Sequence, residues 1–96
     1  MLFVATCLDK ADSLTLRLAT RPAHLAYLKG LGDRVRLGGA LLAEDRQSAV
    51  GSMLILKGES EAEVHGLLAD DPYAKAGLFA TVEVKPWRQA VGVELG

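Results

Sequence analysis

Two strand-like segments of this chain carry apolar side chains on both of their faces, and few folds accept such strands. In residues 2–8, Leu2, Val4, Thr6 and Leu8 alternate with Phe3, Ala5 and Cys7. In residues 49–57, Val50, Ser52, Leu54 and Leu56 alternate with Gly51, Met53, Ile55 and Lys57. A sheet face that meets water shows a regular alternation of apolar and polar residues. The pattern therefore predicts a sheet that is covered by helices on one face and by a second copy of the chain on the other, which makes the protein a homodimer.

The first helix is predicted to begin at Thr20. The mixed charges of residues 9–18 indicate a polar connection between the first strand and this helix. Thr20 suits the N-cap because Pro22 then falls in the first turn, where its missing N–H group costs no hydrogen bond. Two glycines, Gly30 and Gly32, end the helix near Leu31.

Turn and cap signals divide the rest of the chain into further elements. These are a strand over 35–43, a polar hairpin loop over 44–48, a strand over 49–57, a helix opened by the capping box Ser60–Glu63, an acidic turn over 70–73, and a strand over 78–85 followed by a tail over 86–96. The resulting order is βαββαβ. It predicts a ferredoxin-like α+β fold, a four-stranded antiparallel sheet with two helices on one face.

Length, charge and cysteine content restrict the class of protein. The 96 residues are expected to form a single domain. Eleven basic and twelve acidic residues give a net charge of −1, and the basic residues are scattered singly, which argues against a nucleic-acid partner. No stretch approaches the ~20 apolar residues of a membrane span, and the first residues lack the basic region of a signal peptide. Cys7 is the one cysteine, which fits a reducing cytoplasm.

His24 is a candidate acid–base residue because of its place in the predicted first helix. Leu28 and Leu31 follow it by four and seven residues, so its imidazole lies on the stripe that faces the core. Asp71 lies in the acidic turn and could fix the tautomer of His24, as a carboxylate does in a catalytic triad. Asp33 is the alternative partner. His24 could also be a structural histidine, and Asp71 could serve only to form its turn.

The chain resembles the YciI-like (YCII-related) family in segments that include His24 and Asp71. The similarity runs from Met1 to about Arg88 and rests on four segments: Asp9–Leu14, Arg21–Leu25, Asp71–Tyr73 and Val84–Trp87. The resemblance implies the dimeric α/β-barrel version of the fold, a pocket between helices and sheet, and a His–Asp pair at His24 and Asp71. Structural cousins include small-molecule isomerases and monooxygenases that act on aromatic or polyketide-like compounds. The segment over residues 41–48 is shorter than the proline-containing loop of close relatives. The resemblance therefore does not determine the shape of the pocket mouth.

Four other polar side chains are candidates for contact with a substrate. They are Arg21, Tyr27, Ser52 and Tyr73. Arg21 would favour an anionic group, because it lies in the first turn of the predicted helix. Each of the four has a structural alternative, either a solvated side chain or an internally bonded hydroxyl. The two histidines are far apart in sequence and lack cysteine partners, and phosphate-loop motifs are absent, so neither a metal nor a cofactor is expected.

Three functions are compatible with these observations. The first is a cofactor-free enzyme in which His24 and Asp71 transfer protons on a ring-like small molecule, as an isomerase or a lyase does. The second is a dimer that binds or senses a small molecule without catalysis. The third is an interaction module. A pocket that holds the His–Asp pair would favour the first two, and the absence of any pocket would favour the third.

Overall fold

The computed structural model describes residues 1–95, which form four strands, three helices and one 3-10 turn. In chain order these are β1 (Leu2–Asp9), α1 (Leu14–Gly30), the 3-10 turn (Gly32–Arg34), β2 (Val35–Leu42), β3 (Ala49–Lys57), α2 (Glu61–Ala69), α3 (Pro72–Lys75) and β4 (Phe79–Trp87). The strands make one antiparallel sheet in the order β2-β3-β1-β4. The ferredoxin-like α+β fold that the sequence predicts is therefore confirmed, with α3 as a short additional helix.

One face of the sheet is covered by helices. Strand pairing places Phe3 opposite Leu56 and Ala5 opposite Leu54, and all four side chains are buried. Val64 and Leu68 of α2 pack against this group. Burial of these apolar side chains is the main contribution to the stability of the chain.

The opposite face of the sheet, which we call the helix-free face, has a different composition. The pairs Val4–Ile55 and Thr6–Met53 lie on it, and Ile55 is only 3% exposed. On β4, however, the same face carries the exposed side chains of Thr81, Glu83 and Lys85. The helix-free face is therefore apolar along β1 and β3 and polar along β4.

Helix α1 begins earlier than the sequence predicts. It starts at Leu14 with Ser13 as the N-cap residue, so the polar connection over 9–18 and the cap at Thr20 are wrong. Pro22 lies inside the helix, where it cannot donate a hydrogen bond to the carbonyl four residues earlier. The helix continues through this defect because Arg17 before Pro22 and His24 after it are both buried and anchored by other elements.

The end of the last strand also depends on tertiary pairing. β4 continues through Pro86, which pairs with Phe3, and Trp87, which pairs with Leu2, so the tail begins at Arg88 instead of Pro86. β4 is an edge strand, and a proline is tolerated there because one side of the strand needs no hydrogen-bond partner. Gly96, the last residue of the tail, lies outside the described residues.

The predicted capping box at the start of α2 is present. The Glu63 N–H donates to Ser60 Oγ over 3.1 Å, and the Glu59 N–H donates to the Glu63 carboxylate over 3.0 Å. Among residues 1–95, none of the helices is both long and apolar enough to span a bilayer.

Candidate active site

A cavity of about 270 Å³ lies between α1, α3 and the strands β2 and β3. Its polar side chains are Arg17, Arg21, His24, Ser52 and Tyr73, and residues 38–40 of β2 with several leucines complete its lining. A Cβ atom at position 38 would overlap the side chain of Leu54, which lines the cavity. Gly38 therefore allows Leu54 to pack in the cavity lining.

A second, larger cavity of about 480 Å³ lies at the end of the sheet, beside the start of the tail. Met1, Leu2, Lys57 and residues 86–89 line it. Its lining contains neither a histidine nor a carboxylate. We therefore place the candidate acid–base chemistry in the smaller cavity.

His24 and Asp71, which are 47 positions apart in sequence, form a buried pair at this smaller cavity. His24 Nδ1 lies 2.9 Å from Asp71 Oδ1 and 2.8 Å from Oδ2. His24 lines the cavity, whereas Asp71 lies behind the imidazole and does not border the open space. His24 Nε2 has no hydrogen-bond partner among residues 1–95. Every buried side-chain nitrogen or oxygen in that range has a hydrogen-bond partner, so Nε2 is not among the buried atoms. Nε2 is therefore accessible from the cavity.

The short helix α3 fixes Asp71 in this position. Asp71 is its N-cap residue, and Oδ1 accepts the N–H of Tyr73 over 2.9 Å. Pro72 occupies the first position of α3, where its fixed φ angle favours the helical turn. The turn-forming role and the His24 contact are thus combined in one carboxylate.

Tyr73 packs between the main polar groups of the site. Its ring is stacked on the His24 imidazole, with centroids 3.8 Å apart and planes 16° apart. The guanidinium carbon of Arg17 lies 4.7 Å from the centroid of the same ring. Burial raises the pKa of Tyr73, although the charges of Arg17 and Arg21 oppose the shift. The phenol is therefore neutral near pH 7.

A second buried pair joins α1 to β1. Arg17 Nε donates to Asp9 Oδ2 over 2.6 Å, and Arg17 Nη2 donates to Asp9 Oδ1 over 3.0 Å and to Ser52 Oγ over 2.9 Å. Burial lowers the pKa of Arg17, but the hydrogen bond and the charge of Asp9 outweigh it and leave the pKa above its ordinary value. Arg17 therefore carries a permanent positive charge at the cavity wall.

Cys7 lies beneath both pairs on the helix-covered face of β1. It is fully buried, and burial raises its pKa from 9.0 to about 11, with further contributions from the charges of Asp71 and Asp9. A thiol with this pKa is protonated near neutral pH and is a poor nucleophile. Cys7 is therefore a core residue.

The structure brings most of the predicted site residues to the cavity. Arg21, Ser52 and Tyr73 line it together with His24. Tyr27 does not line it, because its hydroxyl faces α2 and donates to the Leu67 carbonyl over 2.7 Å. The prediction that Tyr27 shares the groove of His24 is therefore not supported, and we remove it from the candidate site.

The alternative carboxylate, Asp33, lies in the exposed 3-10 turn, where its carbonyl accepts a hydrogen bond from Arg36. His24 contacts Asp71 instead. His65 is exposed on α2. Within the described part of the chain, no group of three or more His, Cys, Asp and Glu side chains is arranged to hold a metal ion.

Sequence reasoning missed Asp9 and Arg17, because it placed both in a polar connection. A signal for Arg17 was present in the spacing: Arg17, Arg21, His24 and Leu28 recur at helical intervals and share one face of α1. A helix start near Ser13 would have revealed this stripe. Asp9 gives no comparable signal, since only the folded sheet brings it to Arg17.

Comparisons with known proteins were made for the whole chain. The YCII-related domain matches residues 1–88. The protein YciI of Escherichia coli O6:H1 is 41% identical over 96 residues, an alignment that covers 93% of this chain and 98% of the relative. Derivative of benzaldehyde biosynthesis cluster protein C of Emericella nidulans is 40% identical over 75 residues, covering 70% of this chain and 76% of that protein.

Solved structures give a consistent result. 5-Chloro-2-hydroxyhydroquinone dehydrochlorinase (TftG) from Burkholderia phenoliruptrix AC1100, in complex with 2,5-dihydroxybenzoquinone, is 38% identical with a TM-score of 0.84, and the match covers 94% of this chain and 96% of that one. A putative antibiotic biosynthesis monooxygenase from Bacteriodes thetaiotaomicron shares the fold, with a TM-score of 0.55 at 16% identity over 98% of this chain and 95% of that one. From the domain match and the identity to YciI over nearly its full length, the chain belongs to the YCII-related family.

Proposed function

We propose that this protein is a cofactor-free enzyme that transfers protons on a small hydroxylated ring compound, with His24 as the acid–base residue. The observation that carries the proposal is the position of the His24 imidazole. One of its nitrogens contacts the buried Asp71 carboxylate, and the other is accessible from a cavity of about 270 Å³.

The contact with Asp71 determines which nitrogen of His24 acts. An ionised carboxylate accepts a proton from Nδ1–H, which leaves the lone pair on Nε2, facing the cavity. Nε2 can then remove a proton from a bound molecule, and the Asp71 charge stabilises the imidazolium that results. The same imidazolium can return the proton to another atom of the molecule.

The similarity to TftG supports a hydroxylated ring as the substrate class, because that relative is a dehydrochlorinase of a chlorinated hydroxyhydroquinone. On such a ring, Nε2 takes a hydroxyl proton and the electron pair of the O–H bond moves into the ring. The return of the proton to a ring carbon gives a ketone, which is an isomerisation. If that carbon bears chlorine, loss of a second hydroxyl proton expels chloride with its bonding pair, so HCl leaves and no oxidant or reductant is needed.

The direct test is an assay of chloride release from 5-chloro-2-hydroxyhydroquinone, together with proton exchange into unchlorinated hydroquinones. We expect turnover by the wild type and a loss of at least about a hundredfold in kcat in His24→Gln. His65→Gln is the matched control, because this histidine is exposed on α2 and does not line the cavity. A His24→Gln variant that keeps the wild-type rate would overturn the assignment.

The same experiment separates catalysis from ligand binding. A protein that binds or senses a ring compound would show a saturable change in tyrosine fluorescence, since Tyr73 lines the cavity, without release of chloride or exchange of ring protons. This result in the wild type would favour the binding protein over the enzyme.

The active form is proposed to be a homodimer that buries the helix-free face. The apolar side chains along β1 and β3, among them the partly exposed Val4 and the exposed Leu8, and the exposed Leu37 of β2 give this face the composition of an interface. We expect Val4→Glu to dissociate the dimer, because an unpaired charge is costly to bury. Sedimentation at micromolar concentration measures this, and Ala19→Glu on the exposed side of α1 is the control. A wild type that sediments with the mass of one chain would contradict the dimer.

A further inference from the structure

The proposed proton transfer leaves Arg17, one of the two arginines of the cavity wall, without a role. Its Nε and Nη2 atoms are fully used by Asp9 and Ser52. The third nitrogen, Nη1, takes no part in these three bonds, and Tyr73 is a further polar neighbour of the guanidinium. Arg17 is 4% exposed, and the cavity that holds His24 is the open space that it borders.

The charge balance of this cavity is one-sided. Its ionisable side chains among residues 1–95 are Arg17, Arg21, His24 and Tyr73, and none of the Asp and Glu residues in that range lines it. Asp9 and Asp71 lie behind Arg17 and His24, where they orient these side chains without meeting the open space. A molecule in the cavity therefore meets positive charge and hydrogen-bond donors, which favours an anion.

The guanidinium is also held in a fixed orientation. Two hydrogen bonds to Asp9, one to Ser52 and the contact with the Tyr73 ring restrain it from several sides. Nη1 is thus preorganised, so it loses little conformational entropy when a ligand binds.

We infer that Arg17 Nη1 binds an ionised oxygen on the ligand ring, so that the protein selects ring compounds in which a hydroxyl has already lost its proton. This inference rests on the proposed function, since it assigns the charge state of the molecule on which His24 acts. Arg17 holds one oxygen as the anion while His24 Nε2 exchanges a proton elsewhere on the same ring. Arg17 is therefore a specificity-determining residue for an acidic hydroxyquinone or a similar phenolate.

The test compares two probes, 2,5-dihydroxybenzoquinone, which is an anion at neutral pH, and its neutral dimethyl ether. Binding is measured by calorimetry and by the visible absorbance of the quinone. We expect the wild type to bind the anion about ten- to a hundredfold more tightly than the ether, as a charge-assisted hydrogen bond predicts. Equal affinity for the two probes would overturn the inference.

The variants must remove the Arg17 charge without leaving Asp9 unpaired in the core. The double variant Asp9→Asn/Arg17→Met removes both charges, and Arg34→Met removes an exposed arginine as the control. We expect the double variant to lose about ten- to a hundredfold in affinity for the anion and to keep its affinity for the ether. An unchanged preference for the anion in a folded double variant would exclude Arg17 as the anion-binding group.

His24→Gln separates this inference from the proposed function. We expect it to abolish turnover and to keep the preference for the anion within a few-fold. A wild type that prefers the anion but performs no chemistry would overturn the catalytic proposal and support the Arg17 subsite. If the wild type binds neither ring compound, both proposals are wrong.

Discussion

The two buried pairs of this protein, Asp9–Arg17 and His24–Asp71, are built alike but have different properties. Each joins a carboxylate to a nitrogen base on one face of α1, and Tyr73 contacts both bases. Arginine keeps its charge at any pH at which the protein folds, whereas histidine can lose its proton and remain as a neutral hydrogen-bonding group. The first pair therefore carries a permanent charge, whereas in the proposed mechanism the second pair exchanges a proton with the bound molecule.

The largest expected difference between the pairs is in their contribution to stability. Asp9→Asn leaves the buried Arg17 charge without its carboxylate, and we expect the free energy of unfolding to fall by about 3–5 kcal/mol. Asp71→Asn should cost about 1–2 kcal/mol, because the new side chain can still hydrogen-bond to His24 and its oxygen can still accept the Tyr73 N–H. Urea denaturation measures both values. Equal losses would show that the two pairs are equivalent.

A smaller effect tests how tightly the Asp9–Arg17 pair is held. Ser52→Ala removes one acceptor from Arg17 Nη2 while the bond to Asp9 remains, so the free energy of unfolding should fall by about 1 kcal/mol. The control is Ser13→Ala, which removes an exposed hydrogen bond to the Ala11 carbonyl and should have almost no effect. A loss as large as that of Asp9→Asn would mean that Ser52, and not Asp9, fixes the guanidinium.

The smallest expected effect uses Cys7 as a sensor of both carboxylates. Its pKa of about 11 is due first to burial, then to the charge of Asp71, and then to that of Asp9. We expect Asp71→Asn to lower the pKa of Cys7 more than Asp9→Asn does, as measured by the ultraviolet absorbance of the thiolate during a pH titration. Cys7→Ala identifies the signal. A larger shift in Asp9→Asn would reverse the order of the two carboxylates.

The same thiol predicts how stability depends on alkaline pH. The pKa of Cys7 is higher in the folded chain than its ordinary value of 9.0, so the folded state holds this proton more tightly than the unfolded state. The corresponding stability is complete below about pH 9 and is lost as the pH rises through about 11. Cys7→Ala should show a shallower decline over this range in urea denaturation at a series of pH values. An identical decline would assign the effect to other groups.

Local patterns in the sequence were sufficient for the sheet and the second helix. The period-2 alternation in β1 and β3 and the Ser60–Glu63 capping box depend on neighbours that lie close in sequence, and each is present in the structure. The contact between His24 and Asp71 was also expected, but from the resemblance to a family and the geometry of its fold. Nothing local to either residue distinguishes Asp71 from Asp33 as the partner.

What only the tertiary structure decided is the start of α1 and, with it, half of the candidate site. A favourable cap at Thr20 is worth about 1 kcal/mol, whereas leaving the buried Arg17 charge without Asp9 would cost more than this local preference. The helix therefore extends back to Leu14 and accepts Pro22 in its interior. The sequence by itself determined the order of the strands and helices, because hydrophobic periodicity is local. The positions of Asp9, Arg17 and Tyr27 depend on contacts between distant segments, which only the folded chain brings together.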